Sequence, residues 1–207
     1  MTSAQQQAMD RRMMTHAIGL SKQSGKAGEY PYAAVVCRDG AIVAESINRV
    51  VHDGDVTRHA EVVAIALAQK ALRSVSLDDC EIFVNAEPCA FCCYAIRESR
   101  IGRVVYGLTS PHMGGVSKWP VLTDRDISNA MPEVFPAPPE VLAGFMAREV
   151  EEALISLRIA RFEVKTDLHA AASVMEPQLE VDRRFFGGEK FHECTLVPGL
   201  KRPQLGG

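Results

Sequence analysis

The sequence predicts an α/β domain, and three features carry that expectation. Strand-like apolar runs alternate with runs spaced for helices along most of the 207 residues. Asp39-Gly40 sits between two strand-like runs, a strong two-residue hairpin signal. The run Glu81 to Asn85 leads into Pro88-Cys89-Ala90-Phe91-Cys92, so a helix carrying reactive side chains begins at the carboxyl end of a strand. The length suffices for one well-buried domain with some chain left over.

Taken in order, Ala4, Ala8, Met13, Ala17 and Leu20 recur at helical spacing with Met9, Met14 and Ile18 beside them. A first helix is expected from Ser3 to Ser24, stopped by Gly25 and Gly28. Tyr32 to Cys37 and Ala41 to Ile47 form the hairpin strands, and a loop from Asn48 to Thr57 leads to a helix beginning at His59 and ending around Arg73. After the Glu81 strand and the cysteine helix, Arg103 to Gly107 is a further strand. Leu108 to Pro120, with Gly114-Gly115 and the only tryptophan, Trp119, reads as a loop and a candidate pocket wall. A short strand is expected at Glu133 to Phe135. A long helix is expected from Pro139 to Arg161, with Glu140, Glu149, Glu151 and Glu152 wet and Val141, Leu142, Phe145, Val150, Leu154 and Leu157 apolar. From Phe162 onward periodicity fades, and Gly187-Gly188 and Pro198 suggest turns or an extended tail. His192-Glu193-Cys194 has metal-binding residue types but lacks companions.

The chemistry gathers between His59 and Cys92. His59, Cys89 and Cys92 supply one imidazole and two thiolates, a complete protein ligand set for a zinc ion that keeps a fourth position open. A Cys-x-x-Cys pair at a helix start places both sulfurs on the first turn, where the backbone dipole favours thiolate. Pro88 suits that entrance because a proline gives up an N–H that would be unpaired there. Glu61 converges on the same point only if His59 lies in or just before the first turn of its helix, since two residues turn by about 200°. Thr57 and Asp55 are candidate caps for that start. Alone, Cys89-x-x-Cys92 also reads as a redox pair or half of a closed structural site, and His59-x-Glu61 as a chance triplet. No second Cys-x-x-Cys exists to close such a site, so the combination favours a catalytic zinc.

Hydrophobic content of 47% and charged content of 24% are ordinary for a soluble globular protein. No secretory signal or bilayer-length apolar run is present, so a cytoplasmic location, no membrane and reduced thiols at Cys37, Cys80, Cys93 and Cys194 are expected. Cys93 is expected to pack inward. A net charge of −3 argues against a grip on a phosphate backbone. Arg97, Arg100 and Arg103 near the site helix read as a solvated face, and Arg183 and Arg184 form a late basic pair.

With these residues in view, the chain resembles the cytidine deaminase-like superfamily, and within it the branch of bacterial tRNA adenosine deaminases and guanine deaminases. The likeness covers about residues 5–160. It is carried by Pro31 with Ala34-Val35-Val36, Asn48-Arg49, His59-Ala60-Glu61, Glu87-Pro88-Cys89, Cys92, and the run Ser99-Arg100-Ile101-Gly102-Arg103-Val104-Val105-Tyr106-Gly107. The resemblance implies a three-layer α/β/α fold with a central mixed five-stranded sheet in order 2-1-3-4-5, and homodimers or larger homo-oligomers. It implies Zn2+ on His59, Cys89 and Cys92, with Glu61 taking a proton from the attacking water, passing it to a ring nitrogen and later protonating the leaving ammonia. Asn48 and the Ala60 backbone N–H would meet the base, with Trp119 a further substrate contact on the loop.

Departures from the family pattern shape the substrate expectation. Asp55-Val56-Thr57-Arg58 replaces Asp-Pro-Thr-Ala, and Ala33 replaces a glycine. Leu108-Thr109-Ser110, then Pro111-His112-Met113-Gly114-Gly115, replaces the Ala-Arg-Asp of the tRNA enzymes. That loop helps receive substrate in the family. The expectation is therefore a zinc-dependent aminohydrolase acting on a free nucleobase, nucleoside or similar amino-substituted heterocycle, with nucleic acid second. The alternatives are tRNA adenosine editing and a catalytically silent zinc-binding protein on a deaminase fold. Residues 1–161 are expected to form the zinc deaminase domain, and 162–207 an extension packed on it or on a partner subunit, where Phe185-Phe186 would close a pocket.

Overall fold

The structure is a computed structural model, and it describes residues 2–168. Helix α1 (Ser3–Lys26) opens with a capping box: the Thr2 side chain accepts from Gln5 N–H, and the Gln5 side chain accepts from Thr2 N–H. It runs through Gly25, two residues beyond the expected end. Strands β1 (Ala33–Arg38) and β2 (Ala41–Ile47) are joined by Asp39 and Gly40, both at positive φ (52° and 74°), the two-residue turn that the Asp-Gly pair signals. A one-turn helix α2 (Val50–Asp53) lies inside the expected Asn48–Thr57 loop. Then come α3 (Ala60–Leu72), β3 (Glu81–Ala86), α4 (Ala90–Glu98), β4 (Arg103–Leu108), α5 (Arg125–Ala130), β5 (Glu140–Leu142) and α6 (Ala147–Leu168).

The five strands lie in the order β2-β1-β3-β4-β5, as the family resemblance implies. β1 runs antiparallel to both β2 and β3, while β3, β4 and β5 are mutually parallel. β1 and β3 carry apolar side chains toward both faces, because both faces are covered. Ala34, Val36, Ile82, Val84 and Val104 pack with Ala64, Ile65 and Ala68 of α3 and Cys93 and Ile96 of α4. The alternate residues Ala33, Val35, Cys37, Phe83 and Val105 pack with Met9, Met13, Met14 and Ala17 of α1 and Val150 and Ala153 of α6. The two-residue period of the strands thus feeds two separate cores.

Two expectations fail in the C-terminal third. Residues 133–135 are not a strand: the Val134 and Phe135 N–H groups both donate to Met131 C=O in tight turns, and Phe135 is buried edge-on against Tyr94 at 4.9 Å. Residues 139–161 are not one helix. Glu140–Leu142 pairs in parallel with Arg103–Val105, and only after Gly144 (φ 72°) and Met146 (φ 56°) does α6 begin. Pro138 and Pro139 lack the N–H that a helix there needs, and the open edge of β4 offers the better partner. Glu140 is wet as expected, but on a strand and not a helix, and it meets Arg103 at 3.2 Å.

The expected solvated arginine face holds for Arg100, which is exposed, and fails for Arg97 and Arg103. Arg97 is 2% exposed and donates to the C=O groups of Val121, Leu122, Asp124 and Pro136 and to Ser128 Oγ. Arg103 grips Asp10 with two bonds of 2.8 Å and Glu81 with one of 2.6 Å, tying α1, β3 and β4 together. No helix among the described residues is long and apolar enough to cross a membrane. Phe185-Phe186, His192-Glu193-Cys194, Arg183, Arg184 and the extension beyond Leu168 lie outside the described residues.

Candidate metal centre

Strand β3 and helix α4 deliver the two sulfurs. The chain leaves β3 through Glu87 and Pro88, and Cys89 becomes the N-cap of α4 in extended conformation (φ −69°, ψ 166°). Cys92 then falls in the first turn, as the Cys-x-x-Cys spacing predicts. The imidazole comes the same way: His59 is the N-cap of α3 (φ −61°, ψ 146°), so His59 precedes the helix and Glu61 lies in its first turn. That is the arrangement required for the two side chains to converge. Thr57 and Asp55 do not cap α3; Asp55 accepts instead from Thr57 N–H and Oγ1, closing a local turn ahead of it.

The three ligand atoms lie together. His59 Nδ1 is 3.6 Å from Cys89 Sγ and 3.3 Å from Cys92 Sγ, and the sulfurs are 3.6 Å apart. Zinc bonds of about 2.3 Å to sulfur and about 2.0 Å to nitrogen at a tetrahedral angle give edges of roughly 3.8 Å for S···S and 3.6 Å for S···N. The three side chains therefore fit a zinc ion without rearrangement, and they form the zinc site of this protein. Among the described residues no fourth ligand joins the three, so a coordination corner is left open.

The surroundings suit that ion. Cys89 is pulled down to about 4 by its hydrogen bond with Cys92, helped by His59 and working against burial. Cys92 is pushed up, first by sharing a proton with Cys89 and then by burial. One thiolate of the pair is thus already favoured before metal arrives. Glu61 is 6% exposed, within hydrogen-bonding reach of Cys92, and burial followed by the negative Cys89 raises its carboxyl to about 6. Phe91, between the two cysteines, packs its ring edge-on to His59 at 5.7 Å and covers the imidazole. Cys93 points inward as expected, buried and bonded to Pro88 C=O.

The residues expected to meet substrate have different standing. Asn48 is buried, and its Oδ1 accepts from Val50 N–H, leaving its amide NH2 as the group to offer a ring. The Arg49 N–H bond to Arg58 C=O (3.0 Å) draws Asn48 alongside the approach to His59. Ala60 is the first helical residue of α3, so its N–H has no carbonyl within the helix to receive it. Trp119 is 55% exposed with the Lys118 ammonium 5.9 Å over its ring, on a segment whose backbone meets the centre at Cys89. There Cys89 forms a β-bridge with Gly114, whose C=O accepts from Trp119 N–H.

Glu87 has no role assigned by the sequence motif, yet it is tightly bonded beside the centre. Glu87 is 5% exposed and accepts from Ser110 N–H, Val116 N–H, Ser117 N–H and Ser117 Oγ. Its place directly before Pro88-Cys89 was visible. The four donors were not, because nothing in the letters folds residues 110–117 back onto it.

Residues 7–108 match the family described as the cytidine and deoxycytidylate deaminase zinc-binding region. Over 108 residues the chain is 42% identical to the tRNA(Ile)-lysidine synthase of Deinococcus radiodurans, covering 50% of this chain but 19% of that one. It is 34% identical over 114 residues to the tRNA-specific adenosine deaminase of Aquifex aeolicus, covering 55% of this chain and 76% of the relative. A solved chain from studies of A-to-I editing by tRNA:A34 deaminases at the wobble position of transfer RNA superposes with a TM-score of 0.59 at 31% identity, covering 69% of this chain and 99% of that one. The guanine deaminase of Nitrosomonas europaea shares the fold, with a TM-score of 0.57 at 22% identity, covering 71% of this chain and 83% of that one.

Proposed function

We propose that this chain, which belongs to the cytidine and deoxycytidylate deaminase zinc-binding family, hydrolytically deaminates an amino-substituted ring, with adenosine in tRNA as the first candidate substrate. The observation that carries the reaction class is the open three-ligand zinc site with a buried carboxylate against it. The tRNA reading, second in the sequence analysis, gains support from the tRNA-specific relatives at or above 30% identity.

Zinc held by His59, Cys89 and Cys92 supplies Lewis-acid activation of water at neutral pH. Glu61 Oε takes the proton that water gives up and carries it to a ring nitrogen, which makes the adjacent carbon electrophilic. The water oxygen bonds to that carbon, Glu61 takes the proton still on this oxygen and gives it to the amino group, and the C–N bond breaks, so that ammonia leaves and an oxo group stays on the ring. The Asn48 amide and the Ala60 N–H orient the ring by hydrogen bonds to its edge.

A second reading, a free nucleobase or nucleoside, is favoured by the net charge of −3 and by Leu108-Thr109-Ser110 standing where the tRNA enzymes carry Ala-Arg-Asp. Ammonia release from the zinc-loaded protein, measured with tRNA and with a panel of free bases and nucleosides, separates the two. Inosine formed in tRNA, with the free compounds inert, is the expected result. Turnover confined to a free base would replace it with the second reading. Full zinc occupancy with every substrate untouched would instead favour a silent zinc-binding protein.

A further inference from the structure

The segment between β4 and α5 is held to the metal centre at two levels. Its backbone runs beside the residues that carry the first sulfur: Glu87 N–H donates to Leu108 C=O (2.7 Å), Gly115 N–H to Pro88 C=O (2.8 Å), Ala90 N–H to Met113 C=O (3.3 Å), and Cys89 bridges Gly114. Beneath that strip sits the Glu87 carboxylate. Oε1 accepts from Val116 N–H (2.9 Å) and Ser117 N–H (2.6 Å), and Oε2 from Ser110 N–H (2.7 Å) and Ser117 Oγ (2.8 Å). All four donors belong to residues 110–117, and the acceptor belongs to the stretch that ends in a metal ligand.

The close fit is visible in the glycines. A Cβ on Gly114 would collide with the Glu87 carboxylate, and one on Gly115 with Cys93 Sγ. Three backbone N–H groups and a hydroxyl that converge on one side chain need about four lone-pair sites, which a carboxylate supplies and a single amide or hydroxyl oxygen, with two, does not. Trp119 hangs from this anchored turn through its N–H bond to Gly114 C=O (2.8 Å), with Met113 exposed beside the Cys89 bridge.

We propose that Glu87 is a positioning residue: its carboxylate gathers residues 110–117 into a fixed wall beside the zinc ligands and so sets how tightly substrate is held. The effect on substrate rests on the deaminase reading above; the hold on the loop does not. Replacing Glu87 by Gln keeps the shape but turns an NH2 toward two of the donors, so the loop loosens while the three ligands stay.

Trp119, the only tryptophan in the chain, reports the loop directly. In zinc-loaded Glu87→Gln, acrylamide quenching of Trp119 fluorescence should rise by at least about twofold. Its KM should rise by about tenfold with kcat nearly kept and zinc content equal to the parent's. Unchanged quenching and KM with zinc intact would overturn the proposal, as would zinc loss, which would make Glu87 a support of the ligands instead. Raised quenching with KM unmoved would overturn its substrate role. Should Glu87→Gln fail to fold, Ser117→Ala removes one of the bonds and should raise quenching to a smaller extent, with Ser117→Thr restoring it. A Ser117→Ala protein indistinguishable from the parent would overturn the proposal. A parent with no deaminase turnover would sink the functional reading, while the quenching would still decide whether Glu87 holds the loop.

Discussion

At the scale of single residues, the site separates holding a metal from moving a proton. Cys89→Ser removes a thiolate from a set that has only three protein ligands, and elemental analysis should find zinc lost together with turnover. Glu61→Gln leaves the three ligands in place, so zinc should remain near one per chain while turnover falls by about 10²–10⁴-fold, the usual worth of a positioned general acid and base. A Glu61→Gln protein with parent-like turnover would remove the proton-transfer role. Thiols elsewhere have the opposite character. Burial, then the nearby Glu81 charge, pushes Cys37 up to about 12, and burial with the Asp79 hydrogen bond does the same for Cys80. At pH 8 both are therefore protonated, and iodoacetamide followed by peptide mapping should label them only after unfolding. Labelling of Cys37 in the native protein at a rate matching a free thiol would contradict the packing described for β1.

At the scale of elements, strands β1 to β4 and the two ligand-bearing helices were legible because local chemistry and tertiary demand agree there. Asp39-Gly40 needs two left-handed residues, and Pro88 and the Cys-x-x-Cys spacing suit a helix entrance. The C-terminal third was not legible, because long-range partners decide it: Val141 and Leu142 suit a helix or a strand equally, and the vacant edge of β4 settles the choice. Two of the three arginines near the site helix differ from expectation for the same reason, while Arg100 is exposed as expected. Spacing cannot tell a solvated guanidinium from Arg97, caged by carbonyls from residues 121–136, or from Arg103 at the junction of α1, β3 and β4. That junction yields a prediction. Arg103→Ala leaves Asp10, whose side chain is 4% exposed, as a buried charge without its bidentate partner. Breaking such a pair costs about 3–5 kcal/mol, to be read as a lowered midpoint in denaturant. The double variant Arg103→Met with Asp10→Leu should recover much of the loss, since apolar replacement of a whole buried pair is tolerated.

At the scale of the whole molecule, charge decides how a polynucleotide could be held. The net charge is −3, and two cations in the stretch before His59 are paired at the surface: Arg49 with Asp53 at 2.8 Å, and Arg58 with Asp55 at 3.1 Å. On the tRNA reading proposed above, such pairing leaves fewer guanidiniums for phosphates, so affinity would come largely from contacts to the base itself. With about two or three phosphate contacts and a slope near −0.7 per contact, binding should weaken only about tenfold between 50 and 200 mM salt. Six to ten contacts would lower it by about 10³–10⁵-fold on a duplex. Fluorescence titration of a labelled anticodon stem-loop across that salt range measures the slope. The substitution Asp53→Asn frees Arg49 and part of Arg58, and should steepen the slope by about one contact. A parent slope as steep as that of a dedicated phosphate binder would overturn this account of the charge. No measurable binding of the stem-loop at 50 mM salt would leave the free ring as the substrate.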